Sequence, residues 1–202
     1  MKATQQLKDE HNLVLVMLSV LEEVAQRIEA ENELDVHHLE EIVGFLKGFV
    51  DSCHHGKEED ILFPELEKAG LPNNGGPIGV MLSEHSEGRG YIRELSSAVE
   101  LLKKDEPLSK ASGPIIFASR QYSALLKNHI MKENEILFMM ADQRISSERQ
   151  DELFEAFEEL EETRIGLGKH EEYHRTLERL ADEYLGTMAH SGYGRSHEHT
   201  NR

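Results

Sequence analysis

A histidine followed four residues later by a glutamate occurs five times in this chain, starting at His37, His54, His55, His129 and His174. On a helix that spacing puts an imidazole and a carboxylate on one face, within reach of a single metal ion. A chain of 202 residues with twelve histidines and 39 acidic side chains produces several such pairs without purpose, so the direction each pair faces decides its meaning. His54 and Glu58 extend the apolar row Val43, Leu46 and Val50 toward Ile61 and Leu62, whereas His55 and Glu59 extend the polar row Lys47, Gly48 and Asp51. His129 and Glu133 continue Tyr122, Leu125 and Leu126 toward Ile136 and Met140, again an inward face. His11 lies among Leu7, Val14 and Leu18, and His85 among Ile78, Met81, Leu82 and Ile92. The candidate metal ligands are therefore His11, His54, Glu58, His85, His129 and Glu133. A lone inward histidine is ordinarily a hydrogen-bonded core residue. Four of them with two carboxylates at one level would leave buried, unpaired charge unless a cation joins them.

The elements that must position these groups follow from the apolar spacing, which is helical almost throughout and nowhere alternates as a strand would. The expected fold is all-α, with long helices over residues 4–30, 36–68, 77–104 and 114–142, and a shorter pair over residues 151–164 and 169–185. Asp35 suits the N-cap of the second helix, and Gly70, Pro72 and the turn Asn73 to Gly76 end it, with Pro64 ending or bending its last part. Pro107 to Gly113 reads as a loop before Pro114 opens the fourth helix, and Ser147 with Gln150 resembles a capping box for the fifth. Short connections give an up-down-up-down four-helix bundle over residues 1–145, a C-terminal helical pair over 146–185, and a Gly-, Ser- and His-rich tail over 186–202. At about 1.5 Å rise per residue in alternating directions, the four inward histidines converge toward one end of the bundle. An ungapped repeat, His54 to Phe63 against His129 to Phe138, aligns His54 and Glu58 with His129 and Glu133.

Composition narrows the function classes. The formal charge of −17 opposes docking on nucleic acid or anionic lipid, and no apolar run approaches the length that spans a bilayer. The single cysteine, Cys53, excludes an intramolecular disulfide framework, and a reducing cytoplasm is the simplest compartment. Cys53 itself reads as a buried inert thiol, Tyr122 as a packed tyrosine, His37 and His38 as exposed, and His190, His197 and His199 as a solvated tail. Imidazole with carboxylate suits iron, zinc or manganese, and spacing does not choose among them.

Four segments together resemble the hemerythrin-like (HHE) domains: Lys8 to His11, His54 to Pro64, Gly76 to His85, and His129 to Glu133. The segment from Gly76 to His85 also looks like the corresponding part of the iron–sulfur cluster repair proteins. The resemblance covers residues 7–142 and implies a four-helix bundle holding two iron ions. His54 and His129 would be terminal ligands, Glu58 and Glu133 bridges, and His11 and His85 the remaining ligands. Oxygen carriers of the family have a second histidine four residues after the one on the third helix, where this chain has Arg89. Arg89 cannot ligate, and would pair with a carboxylate or stabilise an anion. A fifth imidazole could come from His170 or His174 if the last helix packs over the open end of the bundle, while His55 is a supporting partner, an alternative ligand or a solvated histidine. The function implied is binding or sensing of dioxygen, nitric oxide or peroxide. The alternative is a di-iron redox enzyme: an oxidase, a peroxide-decomposing activity or cluster repair.

Overall fold

The computed structural model describes residues 2–186, so the expected tail with His190, His197 and His199 lies outside the described residues. Among the described residues every regular element is helical. Helix α1 (Ala3–Glu31) is followed by α2 (Val36–Phe45), which runs on through two π-helical stretches, Leu46–His55 and Glu58–Leu62, into α3 (Phe63–Lys68). Helix α4 (Pro77–Leu102) precedes α5 (Leu108–Lys132), a third π-helical stretch (Glu133–Leu137) and α6 (Phe138–Arg144). Helix α7 (Ser147–Leu160), a last π-helical stretch (Glu161–Ile165) and α8 (Lys169–Leu185) complete the chain.

The start and stop signals act as their chemistry requires. The Asp35 carboxylate accepts from the backbone N–H groups of His37 and His38 and opens α2. Gly70, at φ 88°, closes α3, with Leu71 N–H donating to the Leu66 carbonyl. Two expectations fail. Residues 108–113 are helical, because Ala111 begins the buried row Ala111, Ile115, Ala118 and Tyr122; its packing outweighs the one hydrogen bond Pro114 forgoes. The fifth helix starts at Ser147 rather than at 151, capped by the Ser146 hydroxyl, which accepts from Arg149 N–H, while Gln150 is buried and donates to Asp142.

Side-chain pairs set the register. Glu29 meets Arg120, Glu22 meets Lys127 and Thr4 meets Asp142, so ascending positions of α1 face descending positions of α5 and α6. Glu40 with Lys103, Asp51 with Arg89 and Glu59 with His85 do the same for the second helical segment and α4. Helix α8 lies along α1 and α2 rather than across an end of the helices. Tyr173 of α8 packs so closely over Gly48 that a Cβ there would collide with its ring.

The apolar core is divided in two. One cluster includes Val14, Leu18, Val50, Ile92 and Leu126; the other includes Leu7, Leu62, Met81, Leu137 and Phe138. In each of the four long segments the chain passes from one cluster to the other through the candidate ligands: Leu7 to Val14 around His11, Val50 to Leu62 around His54 and Glu58, Met81 to Ile92 around His85, and Leu126 to Leu137 around His129 and Glu133. A buried polar layer therefore lies between two apolar plugs rather than toward one end.

Candidate metal centre

The π-helical geometry explains the composition of this layer. An α-helix would turn His55 away from His54 and into the solvent, but the i→i+5 winding from Leu46 to His55 rephases the face. All six residues from Cys53 to Glu58 are buried, a run no amphipathic α-helix sustains. The repeat noted in the sequence is also a structural repeat, since π-helical turns begin at Glu58 and at Glu133, aligned positions of its two copies.

Two groups of ligand atoms converge. His11, His54, Glu58 and Glu133 form one, and His55, Glu58, His85 and His129 the other; within each, ligand atoms lie within 4.8 Å of one another and every residue is buried. Glu58 belongs to both groups. Its Oε1 is 3.5 Å from His54 Nε2 and its Oε2 is 3.4 Å from His85 Nε2. Glu133 also spans them, with Oε2 3.1 Å from His11 Nε2 and 3.3 Å from His129 Nε2. None of the four carboxylate oxygens has an aligned hydrogen bond, nor does His11 Nε2 or either ring nitrogen of His55. Orphaned buried donors and acceptors of this kind are expensive unless an ion satisfies them.

The outer nitrogens of the other four histidines are engaged. His54 Nδ1 lies 2.7 Å from Glu10, His85 Nδ1 2.7 Å from Glu59, His129 Nδ1 2.9 Å from Glu84, and His11 Nδ1 2.9 Å from the Asn134 side-chain oxygen. Each partner offers an acceptor, so each Nδ1 carries a proton and each Nε2 faces inward, the orientation metal-bound histidines adopt. His85 Nε2 and His129 Nε2 then face each other at 3.0 Å. Without an ion, a proton on one ring joins the pair as an N–H to N hydrogen bond, and two nitrogens sharing an ion at about 2.1 Å would stand about 3.0–3.4 Å apart, so the spacing suits a cation in the proton's place.

The two halves are related residue by residue. Lys57 donates to Glu10, which holds His54; Lys132 donates to Glu84, which holds His129. Glu10 and Glu84 each directly precede a ligand, His11 and His85. The residue after each inner carboxylate reaches across, Glu59 to His85 and Asn134 to His11. The copies differ at His55, whose counterpart is Ile130, and this supplies a fifth imidazole stacked 3.8 Å from His85.

Electrostatics follow the same division. Burial, reinforced by the neighbouring His85, His54 and His129, pushes His55 well below the ordinary histidine range and keeps it neutral. Burial opposes a charge on His129, but Glu133 and Glu84 outweigh it and raise the group to about 10. Burial would raise Glu133, yet His129 and His11 hold it well below the usual carboxylate range. Without an ion the Glu133 carboxylate is therefore balanced by a proton on His129, which an entering cation must displace.

The structure places three groups for which the sequence left alternatives open. His55, open in the sequence as a supporting partner, an alternative ligand or a solvated histidine, is buried in the layer itself. His170 and His174 belong to neither ligand group, because α8 lies alongside the helices; His170 is bound to Glu161 instead. Arg89 faces carboxylates, with Nε 2.7 Å from Asp51 and Nη2 2.7 Å from Glu59, and so holds the Glu59 that orients His85. Cys53 is buried and its thiol is pushed up to about 12 by that burial, consistent with an inert residue. Tyr122 is packed in the core as expected, its hydroxyl buried without an aligned partner among the described residues. The sequence reading missed the Lys–Glu–His arrangement, for which the signals were a lysine three residues after each repeat histidine and a glutamate before His11 and His85.

Comparison with known proteins agrees with this chemistry. The chain is 24% identical over 165 residues to the uncharacterised proteins Rv1995 and MT2051 of Mycobacterium tuberculosis and Mb2018 of Mycobacterium bovis, a match covering 81% of this chain and 63% of each relative. No solved structure matches. No helix among the described residues is long and apolar enough to cross a membrane. Residues 2–141, which contain every residue of the buried layer, match the hemerythrin HHE cation binding domain, and the chain belongs to that family.

Proposed function

We propose that the chain holds two iron ions in the buried layer, within an up-down-up-down bundle, and that this centre binds or senses dioxygen, nitric oxide or peroxide. The reading rests above all on Glu58, one carboxylate whose two oxygens face opposite histidine sets. His11 and His54 would serve one ion, His55, His85 and His129 the other, with Glu58 and Glu133 between them. Zinc or manganese would fit the same donors. Bound iron would supply Lewis-acid and one-electron redox chemistry there.

The chain's own residues keep the layer ready for that occupant. Glu10, Glu59, Glu84 and Asn134 fix ring orientation and tautomer, and Lys57, Lys132 and Arg89 fix those carboxylates in turn. The apolar clusters on both sides separate the layer from water. The test is spectroscopic. Reduced, iron-loaded protein exposed to oxygen or nitric oxide should gain a visible absorption band that disappears when the gas is removed. Sustained consumption of peroxide would move the reading to a redox enzyme, and failure to retain iron would overturn it.

A further inference from the structure

We propose that His170 and His174 form a second metal site, partly exposed and separate from the buried layer, for one divalent first-row transition cation such as Ni²⁺, Cu²⁺ or Zn²⁺. The two residues stand one turn apart on α8, with Nε2 atoms 2.9 Å from each other and rings stacked at 4.8 Å. That separation nearly equals the 3.0 Å between His85 Nε2 and His129 Nε2 in the layer. His170 also repeats the support of the buried ligands. Its Nδ1 lies 3.0 Å from Glu161 Oε2, and the other Glu161 oxygen accepts from Lys57. Lys57–Glu161–His170 is thus a third Lys–Glu–His arrangement, sharing its lysine with Lys57–Glu10–His54. His170 Nδ1 is directed at a carboxylate and its Nε2 at the partner imidazole, the orientation in which a histidine ligates.

The surroundings suit a partly hydrated cation. The Phe49 ring stands edge-on to both imidazoles, at 5.5 Å from His170 and 6.4 Å from His174, and limits their rotation. A pocket of about 150 Å³ adjoins His170 and is lined also by Glu158, Glu161, Glu162 and Glu171, which gives that side of the pair acidic surroundings. Two imidazoles select borderline transition metals over magnesium or calcium, which prefer oxygen donors. This inference does not depend on the identity of the buried ions.

The experiment is a calorimetric titration of the full chain with Ni²⁺ after iron loading and desalting, in a background carrying His190→Ala, His197→Ala and His199→Ala. One Ni²⁺ per chain should bind beyond the buried complement. His170→Ala and His174→Ala should each abolish that binding while leaving the iron content unchanged, and Glu161→Gln should weaken it about tenfold. His174→Gln, which retains bulk and helix propensity, should lose the ion with an unchanged far-ultraviolet signal. No Ni²⁺ beyond the buried complement would overturn the proposal and leave an N–H to N hydrogen bond between the rings. Binding that survives the double replacement, or that is lost only in variants that also lose helix, would overturn it as well.

Discussion

Glu10 and Glu84 perform the same task in the two halves of the repeat, each holding a histidine with one oxygen and a lysine with the other, yet they differ in burial. Lys57 is fully buried and Glu10 nearly so, whereas Lys132 is 31% exposed and Glu84 17%. Glu10→Gln keeps an acceptor for His54 but removes a counter-charge from a lysine that cannot reach water. Breaking a buried pair from one side costs about 3–5 kcal/mol, and because Glu161 still pairs with Lys57 the lower figure applies. The carboxylate gives a similar figure independently. Burial opposes its charge, but Lys57 and His54 hold it from 4.5 down to about 2, worth about 3 kcal/mol at 1.36 kcal/mol per unit. Glu84→Gln leaves Lys132 free to turn to solvent and should cost at most about 1 kcal/mol. For a domain of this size each kcal/mol moves the Tm by about 2–4 °C, so Glu10→Gln should lower it by about 6–12 °C and Glu84→Gln by less than about 4 °C. Thermal melts of the metal-free proteins at neutral pH decide the matter. Equal losses in the two variants would refute the claim that burial separates two chemically matched arrangements.

Acid titration extends the comparison. The folded-state value of Glu10 lies below its ordinary value, so its contribution is complete above about 4.5 and is lost as pH falls toward about 2. The metal-free wild-type Tm should therefore drop more steeply through that window than that of Glu10→Gln, and parallel curves would count against the assignment. His55→Ile, which copies the Ile130 of the other half, should reduce bound iron from about two to about one per chain with helical content intact, as measured by metal analysis. Arg89→Met frees Glu59 and Asp51 and should weaken metal binding about tenfold in a chelator competition, whereas unchanged affinity would mean the guanidinium serves only the surface.

Helical spacing and turn chemistry made most of the fold legible: Asp35, Gly70 and the apolar rows act where the sequence places them. Six residues of the polar layer were legible for the same reason, since His11, His54, Glu58, His85, His129 and Glu133 each continue an apolar row. His55 was not. Its polar row is real for a helix of 3.6 residues per turn, but the chain winds as a π-helix from Leu46 to His55, and no local residue signal marks that change of phase. The loop read before Pro114 failed because local proline chemistry was outweighed by burial of Ala111 and Ile115, a tertiary effect. Whether His170 and His174 reach the layer depended on where α8 docks, and that is set partly by the space over Gly48 that admits Tyr173, a contact between residues far apart in the chain.

The central claim is that two iron ions share Glu58, and iron content per chain, measured on untagged protein, tests it most directly. Two irons per wild-type chain, falling below one in Glu58→Ala while the protein remains helical, is the predicted result. Fewer than one iron per chain in the wild type, or a content unchanged by both Glu58→Ala and Glu133→Ala, would contradict it.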